Sequence, residues 1–133
     1  MTGPPRDWEW IELDAVFDAH AAQLAAYGGL PGVRDQGALE GALGRPMNIA
    51  AYQPDADAYL LAAAYAHGIA NNHPFADGNK RTAFVVSVAF LEVNGYVFFA
   101  PENEVIRMFL AVAEGRVSLE ELAQWFRTYA GAN

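Results

Sequence analysis

The stretch His73-Pro74-Phe75-Ala76-Asp77-Gly78-Asn79-Lys80-Arg81-Thr82 gathers a base, a carboxylate, turn residues and two adjacent cations just ahead of an apolar run. Histidine is the side-chain type that takes up a proton near neutral pH, so His73 is the natural general base. Asp77 offers the hard oxygens that Mg²⁺ prefers, an ion that commonly arrives with nucleotide phosphates and draws only one or two carboxylates from the protein. Gly78 removes a side chain where the backbone must approach a ligand closely. Asn79, Lys80 and Arg81 can grip phosphate oxygens, Lys80 as a point charge and Arg81 as a two-pronged donor. Phe75 is expected to bury its ring and pin the loop, with Thr82 capping or packing.

The residues downstream set the position of this chemistry. Ala83 to Leu91 reads as a helix that closes at Asn94-Gly95, residues that tolerate the left-handed end of a helix. Lys80 and Arg81 then fall in the first turn, where the helix dipole disfavours each cation by about 0.3–1 kcal/mol unless an anion sits against them. That placement predicts a phosphate site. Each residue also has a plain structural reading: His-Pro and Asp-Gly are common turn dipeptides, Asn79 can be an N-cap, and a Lys-Arg pair can be a solvated patch. Their concentration beside a buried helix favours function. Two rival sites fit less well. His67, His73 and Asp77 match no zinc spacing, and Gly78 to Thr82 lacks the upstream glycine and preceding strand of a phosphate-binding P-loop.

The rest of the chain must hold that loop. With 133 residues, 53% of them hydrophobic, the length fits one compact domain over 1–133. The absence of cysteine excludes disulfides and cysteine-based zinc sites. No apolar run approaches the roughly 18 residues of a membrane span, and Asp7, Glu9 and Glu12 break any signal-peptide pattern, so a cytoplasmic protein is expected. A net charge of −8 argues against direct nucleic-acid binding. Lys80, the only lysine, beside one of seven arginines, instead suits a small phosphorylated ligand.

In order, Gly3-Pro4-Pro5 predicts a frayed or extended start, and Trp8 to Ile11 either a short strand or an aromatic cover on the core. Val16, Phe17, His20, Leu24 and Tyr27 mark one face of a helix ending at Gly28-Gly29, with His20 read as a packed core histidine. Asp35 caps a short helix that Arg45-Pro46 should end, leaving Met47 to Pro54 as a connector. Asp55 or Asp57 caps the next helix, whose run Tyr59 to Ala66 is apolar all round and therefore central. Tyr96 to Phe99 has the residues for one arm of a short hairpin. A helix follows Pro101 through Val112, and the capping box Ser118-Leu119-Glu120-Glu121 opens a last one through Tyr129. The fold class is all-α, about six helices with at most a small β element.

At the motif the chain resembles the Fic/Doc superfamily, whose shared pattern is His-x-Phe-x-Asp/Glu-Gly-Asn-Gly-Arg followed two residues later by a second arginine. His73, Phe75, Asp77, Gly78, Asn79 and Arg81 match, whereas Lys80 replaces the last glycine and Phe84 the second arginine. Both departures, together with Tyr27-Gly28-Gly29-Leu30-Pro31-Gly32, Arg34-Asp35, Arg45-Pro46 and Asn94-Gly95, resemble the Doc (death-on-curing) branch. The resemblance implies a toxin of a toxin–antitoxin pair, using ATP and Mg²⁺ to transfer the γ-phosphate to a Thr or Ser hydroxyl of a target such as translation elongation factor Tu. His73 would be the base and Asp77 would position the metal or the loop. Gly78, Asn79, Lys80 and Arg81 would bind nucleotide, with Lys80 and Arg81 also stabilising charge in the reaction. It also implies a target-aligning hairpin at Met47 to Gln53 and a separate antitoxin that folds as a helix over an apolar groove. AMP transfer, the habit of typical Fic enzymes, and a degenerate partner-binding module are the alternatives.

Overall fold

The computed structural model describes residues 7–133, so the expected start at Gly3-Pro4-Pro5 lies outside the described residues. The elements run α1 (Leu13–Tyr27), α2 (Gln36–Tyr52), α3 (Ala58–Asn72), α4 (Asn79–Val93), β1 (Tyr96–Phe98), α5 (Glu102–Ala113), α6 (Leu119–Tyr129) and β2 (Ala130–Ala132). Helices dominate, as the apolar periodicity predicts. The central element is α3: Leu61, Ala62, Ala63, Ala64, Tyr65 and Ala66 are fully buried, the position expected of a helix without a polar face. It packs against α2, α4 and α6. Its neighbour α4 turns Ala83, Val86, Phe90 and Leu91 inward, so the motif loop joins two core helices.

Three caps fix where helices start. Asp35 accepts from the Ala38 N–H at 3.0 Å, and Asp57, rather than Asp55, accepts from the Leu60 N–H at 2.9 Å. The Ser118–Glu121 capping box forms in both directions. Trp8 and Trp10 are an aromatic cover and not a strand: each ring lies 5.8 Å from Phe90, and Asn94 clasps the Glu9 backbone from both sides.

Pro46 does not end its helix. Residues Met47 to Tyr52 continue α2, which corrects both the expected connector and the implied hairpin there. An internal proline costs about 3 kcal/mol, through a lost hydrogen bond and a clash with the carbonyl four residues back. Here Leu39, Ala42 and Pro46 form one buried stripe, with Ile49 and Ala50 continuing it against the core. The fit is close, since a methyl group on Gly68 of α3 would come within 3.1 Å of the Ala42 side chain. Packing of that stripe outweighs the local penalty.

The expected arm Tyr96 to Phe99 supplies β1, which pairs antiparallel with β2, placing Tyr96 opposite Ala132 and Phe98 opposite Ala130. Its partner thus follows α5 and α6. Those two helices meet at the Glu104 carboxylate, which accepts from Arg107, the Trp125 indole and the Tyr129 hydroxyl. The Arg107 guanidinium is the main reason its carboxyl is held down at about 2. Among the described residues no helix is long and apolar enough to cross a membrane.

His67, on α3, donates from Nε2 to the Val117 carbonyl at 3.2 Å, and Arg45 Nη1 donates to its Nδ1 at 3.4 Å. Burial, then the nearby Arg45 charge, push its pKa below the ordinary 6.5. The unfolded chain therefore binds more protons at this residue, so its contribution to stability is full above about pH 6.5 and is lost as pH falls through the folded value. The urea midpoint should drop between about pH 7.5 and 5.5, and the drop should be smaller in His67→Gln.

Candidate active site

The motif loop spans residues 73–78, from the C-terminus of α3 to the N-terminus of α4. His73 caps α3 in the left-handed region, at φ 48° and ψ 57°, the only described residue other than glycine with positive φ. For an L-residue that conformation costs roughly 1–2 kcal/mol. Gly78, at φ 76°, caps α4, where the same conformation is unpenalised. The first bond of the α4 ladder runs from Thr82 N–H to the Gly78 carbonyl at 3.0 Å. The N–H groups of Asn79, Lys80 and Arg81 thus have no partner among the described residues, and the helix dipole adds partial positive charge there. These residues, with His73, Asp77 and Gly78, line an open cavity of about 400 Å³.

Three sets of contacts hold the loop. The Phe75 ring is buried, stacked on His20 with centroids 3.8 Å apart and edge-on to Phe17. His20 also donates from Nε2 to the Asp77 carbonyl at 2.8 Å, so the packed histidine expected on α1 fixes the floor of the site. Asn79 turns its amide inward, accepting from Phe75 N–H and donating to Phe75 O, both at 2.9 Å. Its side chain locks the loop, and its backbone N–H is what faces outward.

The third set comes from residues 29–35, to which the sequence reading gave helix-end, turn and capping roles but no part in the site. Val33 bridges Phe75, Ala76 N–H donates to the Gly32 carbonyl, and Arg34 and Asp35 N–H both donate to the Pro74 carbonyl. Asp77 accepts from Leu30 N–H through Oδ2 and from Gly78 N–H through Oδ1, each at 3.2 Å. Gly29 sits at φ 125°, and a Cβ there would stand 3.1 Å from Asp77 Oδ2. The Gly-Gly pair in the sequence was the available signal for that close approach.

Lys80 is exposed and makes no ion pair among the described residues. Arg81 has its guanidinium 4.5 Å from the centre of the Tyr27 ring, so one cation of the pair already has an aromatic partner. Both cations also border a second, more apolar groove of about 740 Å³ between α1, α4 and α5, lined by Tyr27, Phe84, Ile106 and Phe109. Thr82 is buried and packs without entering the cavity. His67 lies apart from the loop, engaged by Val117 and Arg45.

The sequence profile of the Fic/DOC family matches residues 10–91, from before α1 into α4 and across the whole motif loop. The chain belongs to the Fic/DOC family. Among its relatives, "Protein kinase doc" of Escherichia phage P1 is 36% identical over 123 residues, covering 92% of this chain and 96% of that protein. "Toxin Doc" of Mycolicibacterium smegmatis is 39% identical over 89 residues, 65% of each chain. Both are Doc proteins, which places this Fic/DOC chain with the Doc branch, in line with Lys80 and Phe84 at the two departures from the general motif.

Proposed function

We propose that this protein is the toxin of a toxin–antitoxin pair and an ATP-dependent protein kinase, transferring the γ-phosphate to a Thr or Ser hydroxyl of a translation factor such as elongation factor Tu. The observation that carries the proposal is the cradle at the start of α4, where unpartnered N–H groups and the Lys80 side chain meet an imidazole with no hydrogen bond among the described residues. The names of the two relatives support the same reading.

In the transfer, the target hydroxyl oxygen attacks the γ-phosphorus, its proton passes to a ring nitrogen of His73, and the bond from that phosphorus to the bridging oxygen breaks, leaving ADP. The N–H groups of Asn79, Lys80 and Arg81, with the Lys80 ammonium, stabilise charge on the phosphoryl oxygens. Arg81 would leave the Tyr27 ring or share itself between ring and phosphate. Asp77 is the residue that would hold Mg²⁺. Its oxygens each accept a single N–H, keeping lone pairs free, and no group of three or more candidate ligands occurs among the described residues, so the donor set suits an ion arriving with phosphates. Mg²⁺ supplies neutralisation of the phosphate charge. Lys80 places a side chain where typical Fic proteins have glycine, which disfavours a diphosphate laid along the backbone and favours a terminal phosphate. The reaction would take place in the cytoplasm, where ATP and the translation machinery reside.

The partner that restrains the toxin would be a cognate antitoxin, whose helix we assign to the apolar groove between α1, α4 and α5, where an acidic side chain could meet Lys80 and Arg81. The deciding experiment incubates the protein with elongation factor Tu, Mg²⁺ and ATP labelled at the α or the γ phosphorus. Retained γ label is expected; retained α label would replace the kinase reading with AMP transfer, and no label from either would leave a partner-binding module.

A further inference from the structure

Arg34 lies outside the motif and outside the lining of the cavity, yet it grips the residue assigned as the base. Its Nε–H donates to the His73 carbonyl at 2.8 Å and its Nη2–H to the Asn72 carbonyl at 3.0 Å. Its own N–H reaches the next carbonyl, Pro74 O, at 2.7 Å. One residue therefore holds three consecutive carbonyl oxygens at the end of α3. A cation is favoured there, because the last carbonyls of a helix lack partners and carry partial negative charge.

His73 needs such a hold. Left-handed backbone is unfavourable for any residue that carries a Cβ, and a residue preceding proline is driven toward extended backbone by the proline ring. His73 at φ 48° and ψ 57°, ahead of Pro74, has both against it. The Asn72 and His73 carbonyls lie in the peptide planes on either side of the His73 Cα, so holding both oxygens fixes φ and ψ there and with them the direction of the Cα–Cβ bond. Strained conformations of this sort persist where the surroundings over-determine them.

We propose that Arg34 is a positioning residue for His73, its guanidinium clamping the Asn72 and His73 carbonyls so that the left-handed backbone presents the imidazole to the cradle. The inference rests on His73 being the base of the proposed transfer, and its test separates the two. In ¹³C-histidine-labelled protein, the imidazole Cε1–H resonances of His20, His67 and His73 are assigned by single substitution and compared between wild type, Arg34→Lys and Arg34→Gln. Arg34→Lys keeps the charge at the end of α3 while losing the two-pronged grip, which guards against a variant that fails to fold.

In both variants the His73 resonance should shift or broaden while those of His20 and His67 stay in place. The turnover rate should fall about ten- to a hundred-fold with little change in KM for ATP, the scale on which small misplacements of reacting groups act. Methylguanidinium at sub-denaturing concentration should restore part of the rate to Arg34→Ala. An unmoved His73 resonance with an unchanged rate overturns the proposal, as does a joint shift of all three histidines, which would make Arg34 a general support of the fold. Should wild type transfer no label at all, the kinase reading fails while the His73 resonance still decides the role of Arg34.

Discussion

His73→Ala should abolish measurable transfer of γ label, a loss of about 10²–10⁴-fold, the range over which general-base catalysis contributes. The imidazole is exposed and makes no hydrogen bond among the described residues, so its removal leaves the fold as it was. Alanine suffers the same left-handed backbone, and the contacts that hold residue 73 are made by its main-chain carbonyl. Thermal melting should therefore stay within a few degrees of wild type. His73→Asn sharpens the comparison, because asparagine tolerates this conformation better than most residues and should match or exceed wild type in melting temperature. A variant that melts normally and still transfers phosphate would remove His73 from its assigned role.

Lys80→Gly should weaken γ-phosphoryl transfer by about ten- to a hundred-fold, the worth of a hydrogen bond to a charged group at roughly 1.5–3 kcal/mol. Two effects are mixed in that substitution, loss of an ammonium and opening of space along the backbone at the start of α4. Lys80→Ala separates them, since it discharges the position and keeps a Cβ. If space governs how the nucleotide lies, the glycine variant alone should begin to retain α label. If charge governs, both variants lose γ transfer equally and neither gains α transfer. Labelled-ATP assays with the same target protein read both, and unchanged γ transfer in both would end the argument that Lys80 orients the nucleotide.

Much of this was legible because it depends on neighbours in sequence. The end of α1 at Gly28, the caps Asp35, Asp57 and Ser118, and the central position of α3 follow from local chemistry and from apolar spacing. Pro46 misled because the proline rule is local, while the stripe of Leu39, Ala42, Pro46 and Ile49 is rewarded by packing against a separate helix, α3, which the local rule does not take into account. At the site, residue types suggested which groups could meet a phosphate but not the directions in which they point. Asn79 has the right atoms for phosphate, yet its amide closes a ring with Phe75 that only the folded loop reveals. The strap at residues 29–35 was visible as Gly-Gly and Pro-Gly turns, and its purpose depends on a strand-like bridge to Phe75 over forty positions away in sequence.

The left-handed backbone at residue 73 has a bearing on how such a gene decays. A cell poisoned by an unrestrained toxin is rescued by any lesion that silences it, and a single-base change converts a histidine codon to asparagine. On the roles proposed above, that lesion removes the base of the transfer, puts at position 73 a residue that tolerates left-handed backbone, and leaves the groove between α1, α4 and α5 intact. Survivors of this kind would retain a well-folded, inert protein that still titrates the antitoxin, so silencing one copy would leave less restraint for any active copy in the same cell.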